Sequence, residues 1–388
     1  MLSTDRIRTT HVGSLPRPRP LIELMLARQA GRPVDPSRYA SEVAKAVDEV
    51  VARQVALGID IVADGEESKP SFVAYVNERL GGFEPETGAA RHRTSFDGSR
   101  EHLAFPEFYA SHAQGRAPGS RPPHLVCTGP ITYQGKALVE ADIANLKAAL
   151  AKTKGAVAFM PAASPASIES WQRNAHYKSE EDFLFAIATA MREEYRAIVD
   201  AGLMLQIDDP SLVTHYTSTP SLDMPAMQAW AEVRVAALNH ALEGIPADQV
   251  RHHTCYGINM GPRVHDLELK HIVGVLLKIN AGAYSFEAAN PRHEHEWRLW
   301  EEVKLPEGKA LIPGVISHTT VLVEHPELIA ERLLRYAKVV GRERVIAGAD
   351  CGFASHPSAE PEVHPTVVWA KFAALVEGAR LASKELWH

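Results

Sequence analysis

Short apolar runs alternate with longer stretches of helical period along most of the chain. In residues 179–202 an N-capping serine, a run of acids, an apolar stripe and a terminal glycine follow one another, which predicts a helix. An apolar run at residues 204–207 follows directly and predicts a strand. The order of helix, glycine and strand recurs at residues 41–63 and 326–349. This rhythm is typical of parallel βα units and disfavours a β-sandwich.

The apolar runs predict one strand more than an eight-stranded barrel needs. The predicted strands are residues 7–12, 59–63, 124–127, 156–160, 204–207, 251–255, 284–287, 311–316 and 344–349. The stretch at about residues 81–135 is rich in proline, glycine, histidine and arginine and lacks a helical period, so we assign its strand to an excursion outside the barrel. The predicted fold is α/β, a single (β/α)8 TIM-barrel domain over residues 1–388 with that excursion.

The composition fits a large globular enzyme that acts on small molecules. A chain of 388 residues can form a (β/α)8 barrel with insertions as one unit. A net charge of -7 provides no basic surface for nucleic acid. The amino terminus has no apolar signal core, and no apolar stretch approaches the ~18 to 20 residues of a membrane span. We expect a cytoplasmic protein without nucleic-acid or membrane partners; a homo-oligomer is left open.

Three cysteines, Cys127, Cys255 and Cys351, are too few for a disulfide framework. In a reducing compartment, unpaired cysteines are typically buried, metal-bound or catalytic. Cys127 lies inside the run HLVCTGPIT, where a small buried apolar side chain is the favoured interpretation. Cys255 and Cys351 each end a predicted strand and are therefore candidates for chemistry.

Candidate metal ligands end three predicted strands: His253 and Cys255 in HHTCYG, Glu287 in AYSFEAAN, and Cys351 in GADCGF. The carboxyl ends of parallel barrel strands face one mouth, so these four side chains would meet there. Two thiolates, an imidazole and a carboxylate suit tetrahedral zinc, and thiolates favour zinc over magnesium or calcium. Each motif alone is a weak signal, and their combination on separate strand ends predicts a Zn2+ site.

Further polar residues follow other predicted strands. The first strand runs into His11 and Ser14, the second into Glu66, and the strand at residues 204–207 into Asp208. Facing one mouth, these groups could bind a ligand ammonium group or hold a proton donor. The alternative is that the acids cap the following helices or pair with surface arginines. We take these four residues as candidate substrate-binding groups.

Several histidines compete for a role at the same mouth. His318 lies in a loop after a predicted strand and is a candidate proton donor, with a structural role as the alternative. His252 would point to the opposite strand face from His253. His293 and His295 alternate with acids in NPRHEHEW, which predicts a solvated polar loop.

The predicted ligand set indicates a reaction at sulfur. A thiol that binds zinc loses its proton near neutral pH and becomes a nucleophilic thiolate. Two anionic cysteine ligands keep such a sulfur nucleophilic, whereas an all-histidine site better activates water. The sequence therefore predicts alkyl transfer from a small-molecule donor to a small-molecule thiol.

The motifs TTHVGSLPRP, ADGE, LQIDDP, HTCYG and GADCGF stand in the order expected for the cobalamin-independent methionine synthase family. From residue 9 to about residue 353 the chain resembles the catalytic carboxyl-terminal barrel of that family. The resemblance implies a methionine synthase/uroporphyrinogen decarboxylase-like barrel and homocysteine methylation. It also implies zinc ligation by a set of four residues, which are His253, Cys255, Glu287 and Cys351. It further implies that Ser14, Glu66 and Asp208 contact homocysteine.

The sequence departs from the full-length synthases in two respects. It has no room for the second, amino-terminal barrel that helps to bind a methyl-folate, and PGVISH places His318 at a slightly different spacing from the family's acid histidine. The segments DGEESKPSFVAYVNERLGGF and SFEAANPRHEHEW resemble more closely the single-barrel branch that includes epoxyalkane:coenzyme M transferases. Methyl transfer to homocysteine is therefore the main functional prediction. The sequence does not decide whether a methyl-folate is the methyl donor.

Two alternatives remain open at this point. The first is epoxide opening by coenzyme M, or the reverse cleavage of a thioether, for which a sulfonate thiol would need cationic groups such as Arg17, Arg19 or Lys69. An amino thiol would instead need acids such as Glu66 and Asp208. The second alternative belongs to another class, a non-catalytic zinc-stabilised barrel that binds thiols.

Overall fold

Strands and helices alternate along the part of the chain that the computed structural model describes, residues 2–86, 97–113, 125–153, 155–257, 261–358, 361 and 363–388. The strands are β1 (Arg8–Thr9), β2 (Ile61–Val62), β3 (Leu80–Pro85), β4 (Leu125–Tyr133), β5 (Val157–Ala163), β6 (Arg173–Asn174), β7 (Met204–Asp208), β8 (Val250–Thr254), β9 (Ala283–Glu287), β10 (Ala310–Ile316) and β11 (Ile346–Ala349). The helices are α1 (Arg19–Gln29), α2 (Pro36–Leu57), α3 (Arg100–Ala104), α4 (Pro106–Ala113), α5 (Lys136–Leu150), α6 (Pro165–Trp171), α7 (Glu180–Asp200), α8 (Ser211–Ser218), α9 (Met224–Ala241), α10 (Val273–Leu276), α11 (Leu299–Glu302), α12 (Pro326–Val340) and α13 (Pro365–Trp387).

One parallel sheet contains eight of these strands, in the order β1-β11-β10-β9-β8-β7-β5-β2. The two outermost strands of this order meet through side chains and loops. The Asp60 N–H donates to the Thr9 carbonyl (3.2 Å), and the Thr10 hydroxyl donates to the Ile61 carbonyl (3.0 Å). The sheet is therefore a nearly closed barrel with helices outside it, which confirms the predicted (β/α)8 TIM fold.

The register of the central strands brings their carboxyl ends to one level. Asp208 at the end of β7 lies opposite His253 in β8, and Glu287 at the end of β9 lies opposite Gly314 in β10. Because all the barrel strands are parallel, the loops after them meet at the same end, which we call the barrel mouth.

Two apolar clusters stabilise the barrel. The smaller cluster consists of residues in the strands or directly after one, which are Ile61, Ala63, Phe159, Ala283, Ala310, Ile312 and Ile346. The larger cluster joins the outer faces of the strands to the helices, for example to Val47 of α2 and Phe372 of α13. Successive side chains of a strand point to opposite faces, so each strand contributes to both clusters.

The predicted strand at residues 124–127 belongs to a second sheet. In this sheet β4 pairs antiparallel with β3 and parallel with β6. Residue 124 lies outside the described residues, and β4 continues to Tyr133, well beyond the predicted end. No local pattern predicted β3, because its glycine pair interrupts the apolar run. Arg79, beside β3, pairs with Glu194 of α7 (3.1 Å) and with Asp142 of α5, and these buried ion pairs attach the sheet to the barrel helices.

The helix ends follow the capping signals of the sequence, with one exception. The Ser179 hydroxyl accepts from the Asp182 N–H (3.0 Å) at the start of α7, and α12 begins at Pro326, both as predicted. The prediction that the second helix begins near Ser41 is wrong, because Asp35 caps α2 one turn earlier and Pro36 occupies its first position. None of the described helices combines the length and the apolar character that crossing a membrane requires.

Candidate metal centre at the barrel mouth

Three of the four predicted metal ligands meet at the barrel mouth. The ligand atoms of His253, Cys255 and Cys351 lie within 4.8 Å of one another, and all three residues are buried. The sulfur atoms of the two cysteines are 2.9 Å apart. His253 is the fourth residue of β8, Cys255 follows that strand directly, and Cys351 is the second residue after β11. We refer to these three residues as the His-Cys-Cys group.

The histidine of this group is oriented as a metal ligand. A hydrogen bond between its Nδ1 and the Ser285 hydroxyl (3.1 Å) fixes the ring, while its Nε2 is buried and has no hydrogen-bond partner among the described residues. Burial, followed by the neighbouring His252, holds the pKa of His253 well below its usual range. The ring is therefore neutral, which is the form that binds a metal ion.

The donor set of the group suits zinc. Two cysteine sulfurs and one imidazole nitrogen are the ligands that zinc takes in thiolate-rich sites. The hydrogen bond with Cys255, followed by burial, raises the pKa of the Cys351 thiol well above its usual range. A cation between the sulfurs would reverse that effect, because metal ligation deprotonates thiols outright. The residues present thus fit a zinc ion.

The fourth predicted ligand, Glu287, is not in the His-Cys-Cys group. Its Oε2 accepts from Arg263 Nη1 (3.1 Å) and from the Asn290 amide, and its Oε1 accepts from the Tyr256 N–H (3.3 Å). Sequence reasoning missed Arg263, which lies in a loop without helical or strand period. Its distance of 24 residues from Glu287 along the chain gave no signal of the pairing.

The candidate proton donor His318 is buried at the mouth, just after β10. Among the described residues neither ring nitrogen has a well-formed hydrogen bond, although the Gly257 backbone lies near enough to raise its pKa slightly. Burial, followed by the positive charge of Arg263, lowers the pKa of His318 to about 3. Glu324 holds the loop behind it, since its carboxylate accepts from the Ser317 N–H (2.8 Å) and from Lys371 of α13 (2.9 Å).

The predicted acids line another part of the mouth. Asp208 is buried at the end of β7, where its Oδ1 accepts from the Gln206 amide (2.7 Å). Burial, followed by the charge of Glu66, raises the pKa of Asp208 well above its usual range. Glu66 is the only non-glycine residue with positive φ in the described parts of the chain, at 56°. Such a conformation costs on the order of 1 to 3 kcal/mol and is typical of functional sites.

Ser14 connects the acids to the metal-binding side of the mouth. Its carbonyl accepts from the Phe353 N–H (3.0 Å), so it lies against the segment that carries Cys351. A β-carbon on Gly352 would collide with the Ser14 hydroxyl, so a larger residue there must displace that hydroxyl. The Ser14 hydroxyl thus lies beside Gly352, the residue that follows Cys351.

The structure does not support the predicted substrate contact of His11. Its Nε2 donates to Gln54 Oε1 (2.7 Å), its Nδ1 accepts from the Gly13 N–H (3.2 Å), and its ring packs edge-on against Phe159 and Phe372. Burial lowers its pKa to about 3. Both ring nitrogens are used inside the protein because α2 places an amide beside the end of β1, and the substrate contact of His11 stays a prediction.

Of the three cations that a sulfonate thiol would require, Lys69 alone remains a candidate. Arg17 donates to the carbonyls of Ala354, Glu66 and Lys69, and Arg19 is exposed and pairs with a glutamate on its own helix. Lys69 is buried, with its Nζ 2.5 Å from the Pro161 carbonyl and 4.4 Å from the centroid of the Tyr75 ring.

The prediction of a solvated loop is wrong for His293, although His295 is exposed as expected. His293 is buried between Glu296 Oε2 (2.9 Å from Nδ1) and Asp266 Oδ2 (3.3 Å from Nε2). Burial lowers its pKa, but the two carboxylates outweigh that effect and raise the pKa of His293 to about 9. Asp266 lies in a distant loop, so no local pattern revealed the pair. His252 lies beside Asp209 (3.8 Å), away from the His-Cys-Cys group, as predicted.

The fold and this site define a (β/α)8 barrel with a thiolate-rich group that could bind a metal at its mouth. The family model "Cobalamin-independent synthase, Catalytic domain" matches residues 7–95 and 120–371. The chain belongs to the cobalamin-independent methionine synthase family, as its motifs predict.

The relatives agree with this assignment, and two solved structures share the fold. The chain is 24% identical to the methionine synthases of Sulfurisphaera tokodaii and Sulfolobus acidocaldarius, in each case over 97% of this chain and 93% of the relative. It is similar in structure to a B12-independent methionine synthase from Shewanella sp. W3-18-1, solved with selenomethionine (TM-score 0.72, 23% identity, 98% of this chain and 99% of that one). A putative vitamin-B12 independent methionine synthase from Listeria monocytogenes is also similar (TM-score 0.68, 20% identity, 97% and 98%). At these identities the two solved structures establish the fold alone.

Proposed function

We propose that this protein is a zinc-dependent S-methyltransferase that methylates a small thiol, with homocysteine as the first candidate. The observation that carries the proposal is the buried His-Cys-Cys group at the barrel mouth, whose histidine is neutral and has a free Nε2. The methionine synthases among its relatives support the choice of reaction and of thiol. None of the relatives described above supports the coenzyme M alternative.

His253, Cys255 and Cys351 would hold the zinc ion. Bound there, zinc lowers the pKa of a substrate thiol so that the thiolate is present near neutral pH. The Ser285 hydroxyl keeps the His253 ring in position, and burial of all three residues keeps water away from the sulfur.

The acids of the mouth would bind the far end of the substrate. Asp208 and Glu66 repel one another, which is why the pKa of Asp208 is raised beyond the effect of burial. A substrate ammonium group between the two carboxylates would replace the proton that their repulsion retains, and Ser14 could bind the substrate from the other side. An α-amino thiol such as homocysteine has this ammonium group, whereas coenzyme M has an anion in its place.

The methyl transfer forms a sulfur–carbon bond and breaks the bond between the methyl group and its donor, whose leaving atom takes the electron pair and then a proton. His318 is the candidate proton donor, because its ring is buried at the mouth and neither nitrogen has a well-formed hydrogen bond among the described residues. With a pKa of about 3 its ring is neutral at pH 7. His318 would therefore act as a relay, in which one ring N–H goes to the leaving atom while the other nitrogen takes a proton from water. The methyl donor would be a small molecule, and no nucleic acid or membrane would take part.

Zinc-edge X-ray absorption of the purified protein tests the proposal, first alone and then with homocysteine or coenzyme M. Homocysteine is expected to add one sulfur at about 2.3 Å, the usual zinc-thiolate distance. Coenzyme M at the same concentration serves as the control and is expected to leave the shell unchanged. A shell that responds to neither thiol would refute the proposal and favour a non-catalytic zinc-stabilised barrel.

A further inference from the structure

We propose that Arg17 is a positioning residue that, together with Asp64, holds the backbone of Glu66 in its left-handed conformation and so places the Glu66 carboxylate where a substrate ammonium group would bind. The inference rests on the proposed function, in which Glu66 and Asp208 bind that ammonium group. It gives a role to a buried arginine whose hydrogen bonds all go to backbone carbonyls of the mouth.

The backbone around Glu66 is strained. Gly65 and Glu66 both have positive φ, at 72° and 56°. Glycine tolerates this conformation, whereas a residue with a β-carbon keeps it only where the surrounding structure holds it. Asp64 supplies part of that hold, because its Oδ1 accepts from the Glu66 N–H (3.0 Å). This contact fixes the peptide group before Glu66.

Arg17 holds the peptide group after Glu66. Its Nη2 donates to the Glu66 carbonyl (2.7 Å) and to the Lys69 carbonyl (2.9 Å). The Glu66 carbonyl also accepts from the Lys69 N–H (3.0 Å), which closes the turn. With Asp64 on one side and Arg17 on the other, both peptide groups of Glu66 are restrained, and its side chain leaves the turn in one direction.

Arg17 also joins this turn to neighbouring parts of the mouth. Its Nη1 donates to the Ala354 carbonyl (2.6 Å) in the segment after β11. The Leu15 N–H, in the segment after β1, donates to the Gly65 carbonyl (3.0 Å). The guanidinium therefore lies where the segments after β1, β2 and β11 meet, and these segments carry Ser14, Glu66 and Cys351.

The burial of Arg17 supports this role. The residue is 6% exposed, and none of the ion pairs among the described residues includes it. A buried charge without a carboxylate partner is costly. Packing alone therefore does not account for an arginine at this position, whereas the three carbonyls that its planar, forked head reaches do.

The position of the Glu66 carboxylate suits the binding of an ammonium group beside Asp208. Its Oε1 lies 3.6 Å from the place that a β-carbon on Gly13 would take, so the carboxylate lies against the segment after β1. Burial, followed by the charge of Glu66, raises the pKa of Asp208, so each acid lies within reach of the other's charge. If φ of Glu66 relaxed to a negative value, the Cα–Cβ bond would turn and carry the carboxylate away from this place.

Thiol binding by the zinc-loaded protein tests the inference without a methyl donor. Isothermal titration calorimetry gives the Kd of homocysteine and that of 4-mercaptobutanoate, which is homocysteine without its amino group. The ratio of the two Kd values is the preference of the protein for the ammonium group. The variants are Arg17→Met and Glu66→Gln, alone and combined. Arg19→Met is the matched control, because Arg19 is an exposed arginine two residues further on.

The wild-type protein is expected to bind homocysteine more tightly than 4-mercaptobutanoate. Arg17→Met is expected to reduce this preference about 10- to 100-fold, the range of a hydrogen bond to a charged group, while the Kd of 4-mercaptobutanoate and the zinc content stay unchanged. Arg19→Met should keep the full preference. The double variant should lose no more preference than Glu66→Gln alone, because Arg17 acts through Glu66.

An Arg17→Met variant that binds both thiols more weakly by the same factor would overturn the inference, since a general loss of structure affects both Kd values alike. A double variant with far less preference than Glu66→Gln would also overturn it, because Arg17 would then act independently of Glu66. If Arg17→Met does not fold, Asp64→Ala and Asp64→Asn decide. Asparagine keeps an oxygen for the Glu66 N–H and should keep the preference, whereas alanine should lose it. Equal preferences of these two variants would contradict the inference.

Failure of the proposed function has a different signature. The wild-type protein would then bind homocysteine no more tightly than 4-mercaptobutanoate, or would bind neither thiol. Such a result would remove the proposed ammonium site and, with it, the role of Arg17.

Discussion

The charge of His293 predicts a specific dependence of stability on pH. A histidine in an unfolded chain titrates near 6.5, while the two carboxylates around this buried ring raise its pKa to about 9. The folded protein thus binds the proton more tightly than the unfolded chain. The resulting stabilisation is fully present below about pH 6.5 and is lost as the pH rises through about 9. The difference between these values corresponds to about 3 kcal/mol at low pH.

The variant His293→Gln removes the charge and keeps hydrogen-bonding groups on a side chain of similar length. Between pH 6.5 and 9 the free energy of unfolding of the wild-type protein should fall by about 3 kcal/mol more than that of the variant. Urea denaturation at closely spaced pH values measures both curves. The difference between the proteins should be largest at pH 6 and should vanish near pH 10.

The matched control is His295→Gln, which removes an exposed histidine from the same segment. Its curve should run parallel to that of the wild-type protein. Equal slopes for His293→Gln and the wild-type protein would refute the reasoning, because His293 would then be neutral when folded. In that case the ring would be a neutral hydrogen-bond partner of Asp266 and Glu296.

Three further predictions follow from single contacts. Gly352→Ala is expected to displace the Ser14 hydroxyl and to lower kcat/KM about 10- to 100-fold without loss of zinc content, as measured by steady-state kinetics and metal analysis. Lys371→Met leaves the Glu324 carboxylate buried without its ammonium partner (2.9 Å), so urea denaturation should show a loss of about 3 to 5 kcal/mol, most of which the additional change Glu324→Gln should restore. Burial raises the pKa of Glu67 well above its usual range, so its contribution to stability falls as the pH rises above about 4.3. The melting temperature of Glu67→Gln minus that of the wild-type protein should therefore be larger at pH 8 than at pH 4.

Each of these predictions has a control and a contrary result. Gly274→Ala adds a β-carbon where nothing lies within 4 Å, and equal kinetics for it and Gly352→Ala would contradict the first prediction. The second is wrong if the double variant is as unstable as Lys371→Met alone. For the third, the exposed Glu301→Gln is the control, and a melting curve of Glu67→Gln that follows the wild-type pH dependence would contradict it.

Local sequence patterns were sufficient for the parts of the molecule that depend on neighbouring residues. Apolar runs located the strands of the barrel, and the caps Ser179 and Pro326 located two helix starts, because strands and helices have fixed periods. The same reasoning brought His253, Cys255 and Cys351 to one place, since the ends of parallel strands meet at one mouth.

Contacts between distant loops could not be read in the same way. The pairing of Arg263 with Glu287, the burial of His293 against Asp266 and the amide of Gln54 on His11 all join residues that are far apart in sequence and follow no period. Each involves a polar side chain whose type alone suggests solvent or substrate as its partner. The tertiary fold decides such contacts, and for this reason the outer contacts of the metal centre were missed while its core was found.

The balance of charge at the mouth gives one further reason to prefer an amino thiol. Lys69 and Arg251 both lower the pKa of Asp208, yet burial and Glu66 raise it well above the usual range. The acid pair therefore lacks positive charge even with two buried cations nearby. A substrate ammonium group would supply that positive charge, whereas a sulfonate would place a further anion beside two acidic side chains. On the other side of the mouth the charge of Arg263 is taken by Glu287 and Asp266, so it offers a sulfonate no compensation.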